Sequence, residues 1–75
     1  MNNRKMCNKM IANNIKRIRV SKSLTQREVA LAIQISTRRY CYYETAKREI
    51  PLYIMIRLSE YYKIKTDNII NYKVG

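Results

Sequence analysis

Apolar positions along the chain come in short groups spaced three and four residues apart, the period of one helix face. Ile11, Ile15 and Ile18, with Val20 at their edge, predict a first helix over about residues 8–22, surrounded by Lys16, Arg17 and Lys22. Ser21-Lys22-Ser23 breaks it. Thr25 followed by Glu28 has the spacing of a capping box, in which hydroxyl and carboxylate each accept a backbone N–H, so a second helix opens at Gln26. Val29, Ala30 and Ile33 give that helix one apolar face over two turns. Gln34-Ile35-Ser36 forms a brief turn, and Ser36 is a suitable N-cap for a third helix over about 37–44, with Tyr40 and Tyr43 inward. A basic loop from Thr45 to Ile50 leads to Pro51, which suits the first turn of a fourth helix over about 51–62 carrying Leu52, Met55, Leu58 and Tyr62. Thr66 and Asp67 then cap a short fifth helix ending near Asn71. Five short helices, tight connections and no strand signal make the expected fold all-α. The expected organisation is a flexible polar arm (residues 1–10), one helical domain (11–72) and a short C-terminal tail (73–75).

The charge changes what such a domain is for. The chain has 75 residues, 16 basic and 5 acidic side chains, and a net charge of +11. The excess is uneven: residues 1–48 carry 12 basic and 2 acidic side chains, residues 49–75 only 4 and 3. Self-repulsion on this scale costs stability unless a partner neutralises it, so one part of the chain is built to lie near a polyanion. Nucleic acid is the leading partner and an anionic membrane surface the second. The chemistry is otherwise sparse. There is no histidine, so a Ser-His or Cys-His nucleophile pair is impossible, and two cysteines with five scattered acids supply no tetrahedral metal cluster. One glycine in the whole chain excludes a glycine-rich phosphate loop. No catalytic residue, metal or cofactor is therefore expected. Cys7 and Cys41 read as reduced bystanders, with a single disulfide as the alternative. No stretch approaches the ~18 apolar residues of a membrane span and no apolar signal core opens the chain, so the expected location is cytoplasmic.

Two short helices joined by a three-residue turn make a helix-turn-helix. Ala30 is the small residue at the crossing; Val29, Ile33, Ile35, Tyr40 and Tyr43 lock the pair; Ser36, Thr37, Arg38 and Arg39 open the second helix, with Tyr42 one turn further on. With Ile18-Arg19, Leu24-Thr25-Gln26, Glu28-Val29-Ala30, Tyr43-Glu44, Lys47-Arg48-Glu49-Ile50-Pro51 and Tyr61-Tyr62, residues 15–70 resemble the DNA-binding domain of the phage-repressor and Cro family, the XRE-type regulators. The resemblance implies a five-helix, lambda-repressor-like domain that binds double-stranded DNA and is not an enzyme. It further implies that Gln26 contacts a phosphate and braces the recognition helix. Thr37, Arg38 and Tyr42 match positions facing base edges in the major groove, and Ser36 and Arg39 match positions near the groove wall. Arginine can pair bidentately with guanine for roughly 1–3 kcal/mol of discrimination, which makes Arg38 the main candidate for specificity. Lys47 and Arg48 would grip the DNA backbone. Arg19 and Glu44 resemble a partly buried ion pair tying helix one to the end of helix three, a structural role. The family usually has glycine where Gln34 and Ala46 stand and a β-branched residue where Tyr40 stands. Non-glycine residues in left-handed backbone cost energy, and a buried Tyr40 needs a partner for its hydroxyl.

Helix four carries more apolar residues than one buried face requires, including Tyr53, Ile54, Ile56 and Tyr61. This predicts a two-fold dimer through helices four and five, using Ile54, Tyr61, Ile64, Ile69, Ile70 and Tyr72, that sets two recognition helices roughly 34–36 Å apart on a pseudo-palindromic operator. The expected function is a sequence-specific, dimeric repressor of phage, mobile-element or restriction-modification controller type. The alternative is an antitoxin-like or partner-binding module whose helix-four face takes another protein. Seven tyrosines also suit single-strand stacking, although Tyr40, Tyr43 and Tyr62 fall on inward positions. The segment from Asn2 to Lys9 reads as a solvated end, with a minor-groove arm as the sharper alternative.

Overall fold

The structure is a computed structural model that describes residues 3–72, in which five helices follow one another: α1 (Asn3–Ser21), α2 (Gln26–Ala32), α3 (Thr37–Glu44), α4 (Leu52–Tyr62) and α5 (Thr66–Ile70). No strand occurs among the described residues. α1 lies against α3 and α5, α2 against α3, and α4 against α5. Ile15, Ile18, Val29, Ala30, Ile33, Tyr40, Tyr43, Ile54, Met55, Leu58, Tyr62 and Ile69 form the core.

The caps at α2 and α3 follow from local chemistry. Thr25 Oγ1 accepts the Glu28 N–H at 3.0 Å while Glu28 accepts the Thr25 N–H at 2.9 Å. Ser36 Oγ accepts the Arg39 N–H at 3.1 Å. At the other helix ends one device recurs. Ser23, Gln34 and Ala46 close α1, α2 and α3 in the left-handed region, with φ of 56°, 64° and 58°. In each case that residue's N–H reaches back three residues and the next N–H reaches back five. Lys63, at φ 56°, closes α4, and Ile64 N–H bonds Ser59 O at 3.1 Å. The half-buried Leu24, Ile35 and Ile64 follow three of these turns and tuck against the core.

Several expectations need correction. α1 begins at Asn3, so residues 3–10 are helical and not an arm; nothing in that segment is a proline or glycine that would stop the helix. The remaining arm residues and the tail from Lys73 lie outside the described residues. Pro51 is the N-cap of α4 and not its first helical residue. Lys65 occupies the N-cap of α5, so Thr66 and Asp67 lie inside its first turn. Val20 and Leu52 are largely exposed. The α4 apolar face is turned so that Ile54, Met55, Leu58 and Tyr62 are buried and Leu52 faces water. Ile54 and Ile69, expected on a dimer face, are fully buried in the chain's own core and cannot meet a partner. Ile64, Ile70 and Tyr72 are half-buried against that core, and Tyr61 is exposed.

One buried polar residue escaped the sequence reading. Asn14, 5% exposed, donates from Nδ2 to Ile69 O at 3.0 Å and Ile70 O at 2.9 Å. Those carbonyls belong to the last turn of α5; Ile69 O also accepts the Tyr72 N–H at 3.4 Å, whereas for Ile70 O the Asn14 amide from α1 serves as the cap.

Candidate nucleic-acid interface

The recognition candidate, α3, is fixed from beneath by one buried ion pair. Arg19 donates from Nε to Glu44 Oε2 at 2.6 Å and from Nη2 to Oε1 at 3.1 Å, and its Nη1 reaches Leu24 O at 2.8 Å. Gln26 Nε2 adds a bond to Glu44 Oε1 at 3.1 Å. Glu44 is thereby held by α1 and by the first turn of α2 together. Burial pushes its carboxyl up, but the hydrogen bonds from Arg19 and Gln26 and the guanidinium charge outweigh that, so the net shift is below the ordinary carboxylate value. The fork geometry of arginine, two parallel bonds to one carboxylate, defines where the end of α3 sits. Tyr40 and Tyr62 complete the floor. Their hydroxyls are buried with no well-formed hydrogen bond among the described residues, although the Tyr40 hydroxyl lies close enough to Glu44 to help hold its carboxyl down. Burial drives the Tyr40 phenol far up and Tyr62 to about 12, and both stay neutral.

A second brace runs sideways. Arg39 donates from Nε to Tyr43 Oη at 2.9 Å and from Nη2 to Tyr53 Oη, with its guanidinium about 6 Å from both ring centres. Arg57 lies over the other flank of the Tyr53 ring at 5.2 Å and donates from Nη1 to Ile33 O at 3.0 Å, capping the end of α2. Arg39 thus joins α3 to α4 and Arg57 joins α4 to α2. Neither Tyr53 nor Arg57 was identifiable from sequence spacing, because Tyr53 sits in a run of apolar residues with no readable phase.

What these contacts leave over is the outer face of α3. Thr37 and Arg38 are exposed on its first turn, and Tyr42 is half-buried one turn on. At 100° per residue, Thr37, Arg38 and Tyr42 share the arc opposite the buried Tyr40 and Tyr43. Arg38 Nε donates to Tyr42 Oη at 3.0 Å. The Tyr42 ring gathers three cations, with Arg38 at 6.0 Å, Lys47 at 5.9 Å and Arg48 at 5.4 Å from its centre. The recognition turn and the α3–α4 loop therefore form one continuous basic surface. The only acid of α3, Glu44, is buried and neutralised by Arg19, so nothing within the helix offsets its outward cations. Ser36 is committed to capping and Gln26 to Glu44; both stand at the rim of this surface.

Among the described residues no group of three side chains could hold a metal ion, Cys41 is a free thiol, and no helix is long and apolar enough to cross a membrane. Comparison with known proteins agrees with the geometry. A crystal structure of a transcriptional regulator from Listeria innocua superposes with a TM-score of 0.75 at 23% sequence identity, covering 87% of this chain and 61% of that one. This chain thus spans less than two thirds of that protein's length. No curated protein matches the sequence. Residues 15–69 match the helix-turn-helix family model, and the chain belongs to that family, the DNA-binding regulators of XRE type, and is not an enzyme.

Proposed function

We propose that the protein is a sequence-specific repressor that reads double-stranded DNA with the first turns of α3. The observation that carries this reading is the outward cationic face of α3, continued by Lys47 and Arg48 around the Tyr42 ring, with Arg38 and Thr37 free of any core contact. Arg38 would pair with a guanine edge in the major groove, Thr37 and Tyr42 would make methyl or hydroxyl contacts, and Lys47, Arg48, Gln26, Ser36 and Arg39 would meet the backbone. A repressor of phage, mobile-element or restriction-modification controller type, acting in the cytoplasm, fits this reading and rests on the family resemblance.

Dimerisation on a pseudo-palindromic operator belongs to the same proposal. With Ile54 and Ile69 in the core, the face left for a partner copy is Leu52, Tyr53 and Ile56 on α4, 72%, 45% and 45% exposed, flanked by Tyr61. Ile64, Ile70 and Tyr72 could contribute only their exposed edges. The same strip favours the second reading, an antitoxin-like module that binds another protein there.

The test is selection of duplexes from a random pool at two salt concentrations, followed by single variants. Arg38→Ala should cost roughly 1–3 kcal/mol and relax preference at one base pair, while Lys47→Ala should weaken all duplexes alike and lower the salt slope by about one. An Arg38→Ala protein that selects the wild-type sequence with unchanged preference overturns the reading. Ultracentrifugation at micromolar concentration, with and without the selected duplex, tests the dimer, and only monomers in both would refute it.

A further inference from the structure

The exposed side of α1 carries a second surface, turned away from the core. Ile15 and Ile18 point α1 inward, so by helical period Asn13, Arg17 and Val20 lie on its opposite side and Lys16 beside them. With Ser21 and with Tyr72, which follows α5, these residues line an open groove of about 600 Å3. Val20 is 57% exposed, an unusual expense for a β-branched apolar residue on a helix with so much lysine and arginine. No acidic residue occurs anywhere in α1. Arg19 on this helix is paired with Glu44, and Lys16 and Arg17 are exposed.

We propose that this groove docks an acidic, amphipathic peptide segment of a partner protein. An apolar side chain of the segment would cover Val20 and the Tyr72 ring, and flanking carboxylates would meet Lys16 and Arg17. Charge complementarity selects this occupant. A second copy of the chain has no run of carboxylates to set against Lys16 and Arg17, since its five acids are isolated from one another in sequence. The residues that follow Tyr72, Lys73-Val74-Gly75, bring a further cation and no acidic side chain. The groove shares no residue with the Thr37, Arg38 and Tyr42 face of α3, and the sugar-phosphate surface of a duplex offers nothing to its apolar floor. The protein would therefore hold DNA and the peptide at the same time.

The probe is a fluorescein-labelled peptide of about twelve residues alternating Glu with Leu, read by anisotropy against the full chain, with a poly-Glu peptide of equal charge as control. Saturable binding is expected, about tenfold tighter than poly-Glu. Val20→Ser should weaken it about fivefold while leaving binding of the selected duplex unchanged. Lys16→Gln with Arg17→Gln should weaken it about tenfold, and Lys63→Gln with Lys65→Gln, the same charge change elsewhere, should not. Thermal unfolding of each variant confirms that it is folded. No binding by the wild-type chain, equal affinity for poly-Glu, insensitivity to Val20→Ser, or displacement of the peptide by duplex would each overturn the proposal, the last by placing the peptide on the DNA surface.

Discussion

Helix closure by side-chain-bearing residues predicts that glycine at those positions stabilises the protein. Ala46 is the cleanest case, at φ 58° immediately after α3. In that region the Cβ crowds the following carbonyl oxygen, which costs roughly 1–2 kcal/mol for an ordinary residue. Glycine avoids the clash, but its freer unfolded chain takes back roughly 0.5–1 kcal/mol. The difference leaves about 0.5–1 kcal/mol in favour of Ala46→Gly. For a domain of this size 1 kcal/mol moves Tm by about 4–8 °C, so a rise of about 2–8 °C is expected. The adjacent Thr45 supplies the control. Its φ of −97° suits any residue, and its Oγ1 donates to Cys41 O at 2.8 Å. Thr45→Gly therefore loses entropy and a hydrogen bond with no strain to relieve, and Tm should fall. Lys63→Gly, at a separate helix end, should add to Ala46→Gly within a few tenths of a kcal/mol. Thermal unfolding followed by far-UV circular dichroism reads all three. Ala46→Gly melting at or below the wild type would refute the account of these turns.

Three further outcomes follow from the buried polar groups. The Glu44 carboxyl releases its proton more readily in the native state than in the unfolded chain, so its contribution is complete above the unfolded value of about 4.3 and is lost as pH falls below it. Glu44→Gln strands the Arg19 charge at a cost of about 3 kcal/mol at pH 7, and the gap between urea midpoints of wild type and variant should narrow from pH 6 to pH 3, conditions set by about two units around that value; a constant gap would refute the pairing. Asn14→Ala removes the side-chain donor from the Ile69 and Ile70 carbonyls, of which Ile69 O keeps the Tyr72 N–H, and this should cost about 1–3 kcal/mol and speed hydrogen exchange in α5 ahead of α3. Tyr40→Phe removes a buried hydroxyl that helps hold the Glu44 carboxyl down, so a urea titration at pH 7 should show a loss of about 1 kcal/mol, and unchanged or higher stability would show that the hydroxyl makes no useful bond.

Local chemistry was legible in the sequence and long-range chemistry was not. Thr25 and Glu28 announce the start of α2, and Ser36 that of α3, because each cap is written within four residues. The Arg19–Glu44 pair spans 25 positions and was visible only through the family resemblance. Asn14 was invisible: its partners are backbone carbonyls 55 and 56 positions away, and a polar residue on an apolar stripe carries no signal of its own. The start of α1 had no apolar pattern to mark it. In α4 the run from Leu52 to Ile56 is apolar throughout, so the sequence carries no phase there. The core around α4 selects Ile54 and Met55 and leaves Leu52 outside, which is why Ile54 was expected on a surface it does not reach.

The division of labour among polar side chains explains how so small a domain can hold a reading helix rigid and still leave it something to read with. Around α3, Arg19, Gln26 and Glu44 are spent beneath the helix, Ser36 on its first turn, and Arg39 on the tie to Tyr43 and Tyr53. Each of these groups is satisfied inside the protein, so each fixes a position. Thr37, Arg38 and Tyr42 touch none of those anchors except through the Arg38–Tyr42 bond between themselves. Substitution there alters the outward chemistry without disturbing the brace, whereas substitution of Arg39 releases α4 from α3 and changes the angle at which all three are presented. On the proposed function, specificity and scaffold are thus carried by adjacent residues of one turn, separated by 100° of helix rotation.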